Sequence, residues 1–523
     1  MSLLKTLKTI GLFTFLLGIA LFTVMPFFGD FKLSSEAVDN QLNEKQKTNI
    51  SEELKQTLVG QEFSTPWALS GAIVDIYSSK NEALKEAQLW DQVMYDSPQS
   101  FAFILVTKST TGGATESPGF FFLITFGLAI IGGLLYLIPD MVLLGPAGIK
   151  NDGIYHNSIT KKGWVAWIVF VYLVSFYIIL YFYPSLVVNQ IKLVDPISRW
   201  ISGNPASQWF LYGFSYCTTM IIFGIRMMIK YRNNGYQLVR TTSVLFFQIG
   251  FAFLIPEILV RFNLPYMDFK NAWPLDYDFF FDWNINSLIA NGKVGIFMLV
   301  WGGLLTAVII PVMVYFYGKR WYCSWVCGCG GLSETLGDPF RQHSDKGIKA
   351  WKVERYLIHG VLVFAIIMTA FTLGSFFSGS SSFMGIETYT LQKYYGFLIG
   401  SIFSGVIGTG FYPIFGNRVW CRFGCPLAAY MGLVQRYKSR FRITTNGGQC
   451  ISCGNCSTYC EQGIDVRAYA QKGQNIVRSS CVGCGICSAV CPRGVLKLEN
   501  GPEEGRINDD PIQFGQGEIT LKL

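Results

Sequence analysis

The segment CISCGNCSTYC at residues 450–460 and its repeat CVGCGICSAVCP at residues 481–492 decide the fold of the C-terminal part of this chain. Each half has the spacing C-x2-C-x2-C-x3-C. Three closely spaced thiolates hold one side of a 4Fe-4S cubane, and in two-cluster ferredoxins the fourth ligand comes from the other half. The sequence therefore predicts a ferredoxin-like α+β domain that binds two 4Fe-4S clusters.

This exchange of the fourth ligand assigns eight cysteines to two clusters. A zinc site is the alternative, because zinc also binds four cysteines in C-x2-C pairs. Two successive triplets, each followed by a fourth cysteine, match a cubane better. The first half departs from the usual pattern, since Glu461 follows its fourth cysteine where proline is expected. The first cluster is predicted at Cys450, Cys453, Cys456 and Cys491, and the second at Cys481, Cys484, Cys487 and Cys460.

The rest of the chain is too apolar for an ordinary soluble protein. Of its 523 residues, 51% are hydrophobic, and the mean hydropathy is +0.34. The net charge is +8, but the lysines and arginines lie mostly in short loops between apolar runs, so we expect lipid rather than nucleic acid as the partner. None of the 14 cysteines precedes Cys217, and this clustering favours metal ligands in a reducing compartment over a disulfide framework.

Eight apolar runs predict a polytopic α-helical membrane protein. The first run follows Lys5 and Lys8 and ends without a small-residue cleavage site, so we expect residues 1–29 to form a signal-anchor helix. Seven further helices are expected within residues 119–416. Their apolar runs are 119–139, 163–188, 209–229, 242–262, 294–318, 356–377 and 394–416.

Charges in the loops predict the orientation. Basic residues fill alternate loops, and the intervening loops are acidic or poor in positive charge, so both termini are expected in the cytoplasm. Residues 30–118 would form a small periplasmic α+β domain, with a helix at 83–94 and a strand at 101–106. Residues 417–500 would form the cytoplasmic iron-sulfur domain, and residues 501–523 a C-terminal tail. The basic residues are Lys150, Lys161, Lys162, Arg226, Lys230, Arg232, Arg240, Lys319, Arg320, Arg341, Lys346, Lys349 and Lys352.

Two further motifs place thiols at the cytoplasmic ends of the sixth and eighth runs. Each motif is an aromatic residue followed by Cys-x3-Cys, and on a helix positions i and i+4 share a face. Facing one another, the two pairs would form a four-thiolate site for a third metal or iron-sulfur centre. Buried small hydrophobes and a reversible disulfide are the alternatives. The site would comprise Cys323, Cys327, Cys421 and Cys425, with Cys329 as a spare ligand.

These paired motifs, with the two-cluster module just downstream, resemble the membrane polyferredoxins of the NapH, NosR and CcoG group over roughly residues 290–500. The resemblance implies an electron-transfer protein of the bacterial inner membrane. It would relay electrons between a quinol or cytoplasmic donor and a redox protein in the membrane or periplasm. It also allows an assembly factor that supplies electrons for metal-centre biogenesis, or a redox-sensing scaffold. One departure is Gly328, which follows Cys327 where the family has proline.

Other cofactors find little support in the sequence. Gly112-Gly113-Ala114-Thr115 resembles the S-G-A-T flavin attachment motif of neighbouring redox families but lacks its serine, so we expect a linker rather than FMN on Thr115. With three histidines and no Cys-x-x-Cys-His, the chain offers neither a c-type haem nor a bis-His haem bundle. His359 could lie near a quinone, although an interfacial packing role is favoured. No catalytic side-chain set is predicted.

Overall fold

The computed structural model describes residues 2–143, 162–446 and 449–500. The predicted tail at 501–523 and the basic residues Lys150 and Lys161 lie outside the described residues. The chain folds as two compact units. The N-terminal unit comprises residues 1–140 and 175–218, and the C-terminal unit comprises residues 141–174 and 219–523.

Among the described residues, seven helices are long and apolar enough to cross a membrane. Many of their large apolar side chains are exposed, as expected for helices that face lipid rather than water. Seven of the eight predicted runs fall on these helices. The helices are Leu3–Phe27, Pro118–Pro139, Trp164–Phe182, Gln208–Lys230, Gly235–Arg261, Gly292–Tyr317 and Ile348–Ser378.

The eighth predicted run, 394–416, is not among these helices. It contains the end of the α-helix Thr388–Tyr395, the π-helix Gly396–Ile407 and the short helices Gly408–Gly410 and Tyr412–Phe415. Its repeated glycines lower the hydropathy of the segment, and the helix ends at Gly410. The count of eight spans therefore stays a prediction.

The N-terminal unit contains a small antiparallel sheet and several helices. The strand Asp30–Lys32 lies between Glu62–Phe63 and Thr110–Thr111, with Phe31 opposite both Phe63 and Thr110. Its hydrophobic core combines the buried Phe31 with residues of the surrounding helices. These helices are Ser35–Gln41, Glu44–Thr57, Pro66–Glu86, Pro98–Ser109 and Val188–Ile201.

Two local predictions in this unit are wrong. Residues 101–106 form part of the helix Pro98–Ser109 rather than a strand. A short apolar run does not distinguish the two, and Pro98 at the first turn favours a helix. The helix expected at 83–94 ends at Glu86.

In the C-terminal unit, short elements lie between the spanning helices and the ferredoxin module. Before the module come Asp282–Ala290, Arg320–Cys323, Gly328–Glu334, the 3-10 helix Asp338–His343 and Pro426–Lys438. The strand Phe441–Thr445 pairs antiparallel with Leu496–Asn500, so that the two ends of the module meet. The cysteine halves lie between these strands, with the short helices Asn455–Thr458, Val466–Gln471 and Ile486–Ala489.

Candidate functional site

The structure sorts the ferredoxin cysteines into two sets of four. In each set, three cysteines come from one half of the module and the fourth comes from the other half. We call these the first set and the second set. The first set, Cys450, Cys453, Cys456 and Cys491, lines one cavity, and the second set, Cys460, Cys481, Cys484 and Cys487, lines another.

Local backbone geometry places these sulfurs. Gly454 and Gly485 have φ angles of +80° and +75° and precede the short helices that carry Cys456 and Cys487. Other residues disfavour this left-handed conformation. Gly483 has a φ of +60°, and a Cβ there would lie 2.6 Å from the Cβ of Arg320. The turns therefore require glycine next to the ligands.

Backbone amides stabilise negative charge on the sulfurs. The Ile464 amide donates to Cys460 Sγ at 3.4 Å. Burial raises the pKa of Cys456 to about 12 and that of Cys481 to about 11, while amide hydrogen bonds from Ser457 and Gly483 act in the opposite direction. Four sulfurs around a cavity, with amides directed at them, fit a 4Fe-4S cluster.

Within the described ranges, no group of three or more His, Cys, Asp or Glu residues is arranged as a site for a single metal ion. Zinc would bind its four sulfurs at about 2.3 Å from one ion, whereas a cubane distributes four thiolates over four irons. Metal analysis therefore distinguishes the two.

The Cys-x3-Cys motifs do not form continuous helices, so the predicted i, i+4 geometry is wrong. Cys323 ends the helix Arg320–Cys323, and Cys327 precedes the helix Gly328–Glu334 in an extended conformation. Cys421 lies in the π-turn Trp420–Gly424, and Cys425 caps the helix Pro426–Lys438, with its sulfur accepting from the Ala428 amide.

Turns nevertheless bring these thiols into one buried region. All four are buried, and Cys323, Cys327 and Cys425 share a hydrophobic core with Cys329 at its edge. Burial raises the pKa of Cys323 to about 12. Burial, followed by the charges of Cys421, Cys327 and Cys323, raises the pKa of Cys425. Thiolates here therefore repel one another and require a compensating positive charge.

Cys329 and Arg418 change the electrostatic surroundings of these thiols. A hydrogen bond from the Cys329 thiol lowers the pKa of Cys327 to about 6. Arg418 Nη1 lies 3.7 Å from Cys421 Sγ and 3.2 Å from the Cys323 carbonyl oxygen, to which it donates. The role of Cys329 as a spare ligand stays a prediction, and in the structure its thiol lies beside that of Cys327.

Polar side chains near the ends of the spanning helices hold the loop that carries the second set. Tyr236 and Gln237 begin a spanning helix, and Ser324 directly follows Cys323. Sequence analysis missed these residues, although polar groups bordering an apolar run were a signal. The bonds run from Ser324 Oγ to the Val482 carbonyl at 2.8 Å, from Tyr236 to Gly483 at 2.9 Å, from Gln237 to Cys484 at 2.9 Å, from Gln435 to Cys481 at 2.8 Å and from Lys319 to Ser479 at 2.8 Å.

Eight buried charged side chains form what we call the buried ionic network. Arg418 Nη2 lies 2.7 Å from Glu461 Oε1 and 2.5 Å from Glu334 Oε1. Arg341 joins Glu461 to Asp338, at 2.5 Å and 2.8 Å. Sequence analysis noted Glu461 only as a departure from the ferredoxin pattern. The members are Arg226, Lys230, Arg240, Arg341, Arg418, Glu334, Asp338 and Glu461.

Electrostatics keep the Glu461 carboxylate ionised. Burial would raise the pKa of Glu461, but the positive charges of Arg418, Arg341 and Arg240 outweigh burial and lower the pKa to about 2. For Asp338, burial likewise acts to raise the pKa, and Lys230, Arg226 and Arg341 hold it far below its usual value. Glu461 and Asp338 therefore stay ionised inside the protein, whereas burial raises the pKa of Glu334.

The structure also places Thr115, weighed as a flavin attachment site, and His359, weighed as a quinone contact. Thr115 is an exposed residue of the short helix Gly113–Glu116. His359 Nδ1 lies 2.6 Å from the Arg355 carbonyl oxygen, within its own helix. Neither arrangement supports a cofactor.

Comparison with known proteins supports the iron-sulfur interpretation. A 4Fe-4S binding domain model matches residues 299–347 and 396–444, which contain the two Cys-x3-Cys motifs. A 4Fe-4S dicluster domain model matches residues 442–492, the ferredoxin module. No solved structure matches the chain.

Curated relatives match about one third of the chain. The protein YccM of Escherichia coli is 29% identical over 31% of this chain and 46% of its own length. The methylamine utilization ferredoxin-type protein MauN of Methylobacillus flagellatus is 27% identical over 32% of this chain and 56% of its own length. The regulatory protein NosR of Stutzerimonas stutzeri is 24% identical over 32% of this chain and 22% of its own length. The chain thus spans about half the length, or less, of these relatives. It carries 4Fe-4S ferredoxin-type domains and is homologous to membrane polyferredoxin-like electron transport proteins.

Proposed function

We propose that the protein relays electrons through two 4Fe-4S clusters, one at each set of cysteines, between a quinol or cytoplasmic donor and a redox protein in the membrane or periplasm. The observation that carries this proposal is the four-and-four arrangement of the ferredoxin cysteines around two cavities. The loop of the second set is also bonded to residues at the ends of the spanning helices. Bound clusters would supply one-electron redox chemistry, and these residues hold them beside the membrane.

A third iron-sulfur centre at Cys323, Cys327, Cys421 and Cys425 extends this proposal. The four buried thiols repel one another when they are ionised. A cationic centre bound between them would offset this repulsion and would explain why they lie together. The 4Fe-4S binding domain model covers both motifs, which supports the same interpretation. Arg418 already compensates part of this negative charge through its contact with Cys421.

A cleft beside these motifs supports quinol as the electron donor. It has a volume of about 1000 Å³ and lies between the helix Ile348–Ser378 and the π-helix Gly396–Ile407. Its lining combines the cations Lys346 and Arg422 with the apolar Val353, Leu357, Phe403 and Val419.

Arg422 gives the cleft its polar character. Its Nε donates to Glu354 at 2.7 Å and its Nη1 to the Asp345 carbonyl at 2.8 Å. Its buried Nη2 has no hydrogen-bond partner among the residues that the structure describes. An unpartnered buried donor is costly, and the oxygen of a quinol head group would satisfy it while the apolar wall holds the ring and tail. Arg422 also follows Cys421 directly, so a quinol there would lie beside the motif.

The proposed location is the bacterial inner membrane with both termini in the cytoplasm. Residues 30–118 would then face the periplasm and residues 417–500 the cytoplasm. The basic loops support this orientation, and a reducing cytoplasm suits exposed thiolate ligands such as Cys453.

Iron and sulfide counting tests the proposal directly. The full-length protein, purified anaerobically, should hold about eight irons for two clusters and about twelve with the third centre, in each case with matching sulfide. Only about two irons per chain, or zinc in their place, would refute the cubane assignment. An assembly factor would differ in its deletion phenotype, since loss of the gene would remove the metal from another enzyme rather than the electron supply to it.

A further inference from the structure

The two sets of cysteines differ in what covers them. Polar side chains near the ends of the spanning helices cover the loop of the second set, where Ser324, Tyr236 and Gln237 donate hydrogen bonds to the backbone carbonyls of residues 482–484. Cys481 and Cys487 of this set are buried. This side of the second set is therefore closed to a soluble protein.

The first set lies at the surface of the ferredoxin module. Cys453 is exposed, and the nearby Ile451 is 55% exposed. Ser452 between them and Pro492, which follows Cys491, are exposed as well. A single exposed apolar residue is common, but this one borders directly on predicted cluster ligands. A cluster at the first set would therefore lie within reach of a soluble redox protein.

The surface around the first set is positively charged. Arg467 and Arg493 line its cavity and are exposed, and no carboxylate lines it among the residues that the structure describes. Arg467 Nη1 lies 4.0 Å from the position that a Cβ on Gly454 would occupy, so its charge lies beside the loop between Cys453 and Cys456. We call the following exposed residues the port surface: Ile451, Ser452, Cys453, Arg467, Pro492 and Arg493.

The neighbouring side chains leave the sign of this charge unchanged. Two carboxylates lie near the port surface in sequence, the half-buried Asp465 and Glu499. Two further lysines match them in number, since Lys497 Nζ lies 3.7 Å from Glu499 Oε1 and Lys472 is exposed. The charges of the two arginines therefore remain in excess.

We propose that the port surface docks a soluble one-electron carrier protein whose redox centre is surrounded by acidic residues, and that this carrier is the cytoplasmic donor. This inference rests on the proposed function, because it requires a cluster at the first set. In the transfer step the carrier loses one electron and is oxidised, and the first set gains that electron and is reduced. No bond forms or breaks, and no other reactant is needed.

The chemistry of the port surface fits such an encounter. Complementary charge steers a partner to the correct orientation and raises its association rate. Electron-transfer complexes are weak and use small interfaces, so two exposed arginines around one apolar residue are enough to guide docking. A carrier with a basic surface would instead be repelled.

Stopped-flow kinetics with the full-length protein, purified anaerobically, provide the test. The probe is a reduced plant-type 2Fe-2S ferredoxin, chosen for its strongly acidic surface. Replacing Arg467 and Arg493 together by glutamate reverses the charge of the port surface and should lower the second-order rate constant at low salt by at least about tenfold. Added salt should slow the parent protein, whose attraction it screens, and should not slow the double variant.

Two controls isolate docking from other effects. Arg440→Glu is the matched control, because Arg440 is exposed and precedes the end of the strand pair where Phe441 lies opposite Asn500, whereas Leu496 of the first set's cavity lies at the other end. This variant should react at the parental rate. Reduced methyl viologen, a small cation that needs no docking surface, should reduce the double variant at least as fast as the parent.

The outcomes separate this inference from the proposed function. Equal rates with ferredoxin for the double variant and Arg440→Glu would overturn the inference. So would sedimentation showing that the double variant dissociates a dimer of the parent, because a second copy would then occupy the surface. A parent protein without a cluster at the first set would instead refute the proposed function. If the double variant loses iron, the neutral Arg467→Gln and Arg493→Gln should each show a smaller loss of rate, and parental rates for both would overturn the inference.

Discussion

At the scale of single residues, the structure shows what Glu461 does at the position where the ferredoxin pattern has proline. A proline at this position could make no ion pair, whereas the glutamate connects Arg418 and Arg341 directly beside the predicted ligand Cys460. The Ser344 hydroxyl also donates to the Glu461 carbonyl at 2.7 Å. The residue therefore joins the ferredoxin module to the segments around both Cys-x3-Cys motifs.

The four thiols of these motifs give the first prediction. Replacing Cys421 and Cys425 together by serine should remove about four irons per chain and one redox transition, because the site loses two of its four ligands. Metal analysis and redox titration measure this. Cys217→Ser, a change of the buried cysteine in the spanning helix Gln208–Lys230, is the control and should keep all the iron. A double variant that retains every metal atom and transition would show that the motifs are structural.

Residue types and spacing were enough to predict which cysteines gather around each of the two cavities, and their role as cluster ligands stays a prediction from the spacing. They did not reveal the buried ionic network. Arg418 and Glu334 are 84 positions apart, and Arg341 and Glu461 are 120 apart. Nothing local marks such a pair, because each residue alone looks like an ordinary charge in a loop.

At the scale of secondary-structure elements, the cleft along the helix Ile348–Ser378 gives a second prediction. Leu357→Trp places a bulky ring in the apolar wall and should slow reduction of the clusters by a quinol analogue at least tenfold. Reduction by dithionite, which needs no binding site, should be unchanged. Val363→Trp is the matched control, because Val363 is an exposed residue of the same helix that does not line the cleft. Equal rates for the two variants would exclude the cleft as the quinol site.

The loop that contains Asp276 gives a third prediction, on pH. Burial, followed by the charges of Asp278 and Asp268, raises the pKa of Asp276 to about 7. Because this value lies above that of an unfolded aspartate, about 3.9, the native state binds more protons in between. The contribution of Asp276 to the free energy of unfolding is therefore greatest below about pH 4 and is lost as the pH rises through about 7, by at most roughly 1.4 kcal/mol per pH unit.

Thermal unfolding of the detergent-solubilised protein checks this sign. Asp276→Asn cannot ionise, so its unfolding temperature should drop less than that of the parent between pH 5 and pH 8. Asp91→Asn, at an exposed position, should behave like the parent. If Asp276→Asn shows the same pH dependence as the parent, another group is responsible.

Element types were predictable where a pattern was long. Seven apolar runs of about 20 residues became helices, because only a helix or a closed barrel satisfies the backbone in lipid. Short segments were not predictable. The run 101–106 fits a strand or a helix equally well, and the turns between Cys323 and Cys327 and between Cys421 and Cys425 depend on contacts with distant parts of the chain.

At the scale of the whole molecule, the position of residues 394–416 decides the topology. If this run crosses the membrane, the loop Ser380–Glu387 and the ferredoxin module lie on opposite sides. If it does not, they lie on the same side. Glycines make the run less apolar than its neighbours, so hydropathy alone leaves this question open.

Spheroplasts carrying an epitope tag after Ser381 provide the fourth prediction. With eight spans and a cytoplasmic N-terminus, the tag and residues 30–118 should be digested by protease added from outside, while residues 426–500 should stay intact until the membrane is disrupted. The basic residues Lys319, Arg320, Lys349 and Lys352 hold the intervening segment in the cytoplasm under the positive-inside rule. The same tag placed after Gly347 is the control and should be protected. Digestion of the module and of the Ser381 tag from the same side would show that residues 394–416 do not span, and cleavage of the module from outside would reverse the proposed orientation.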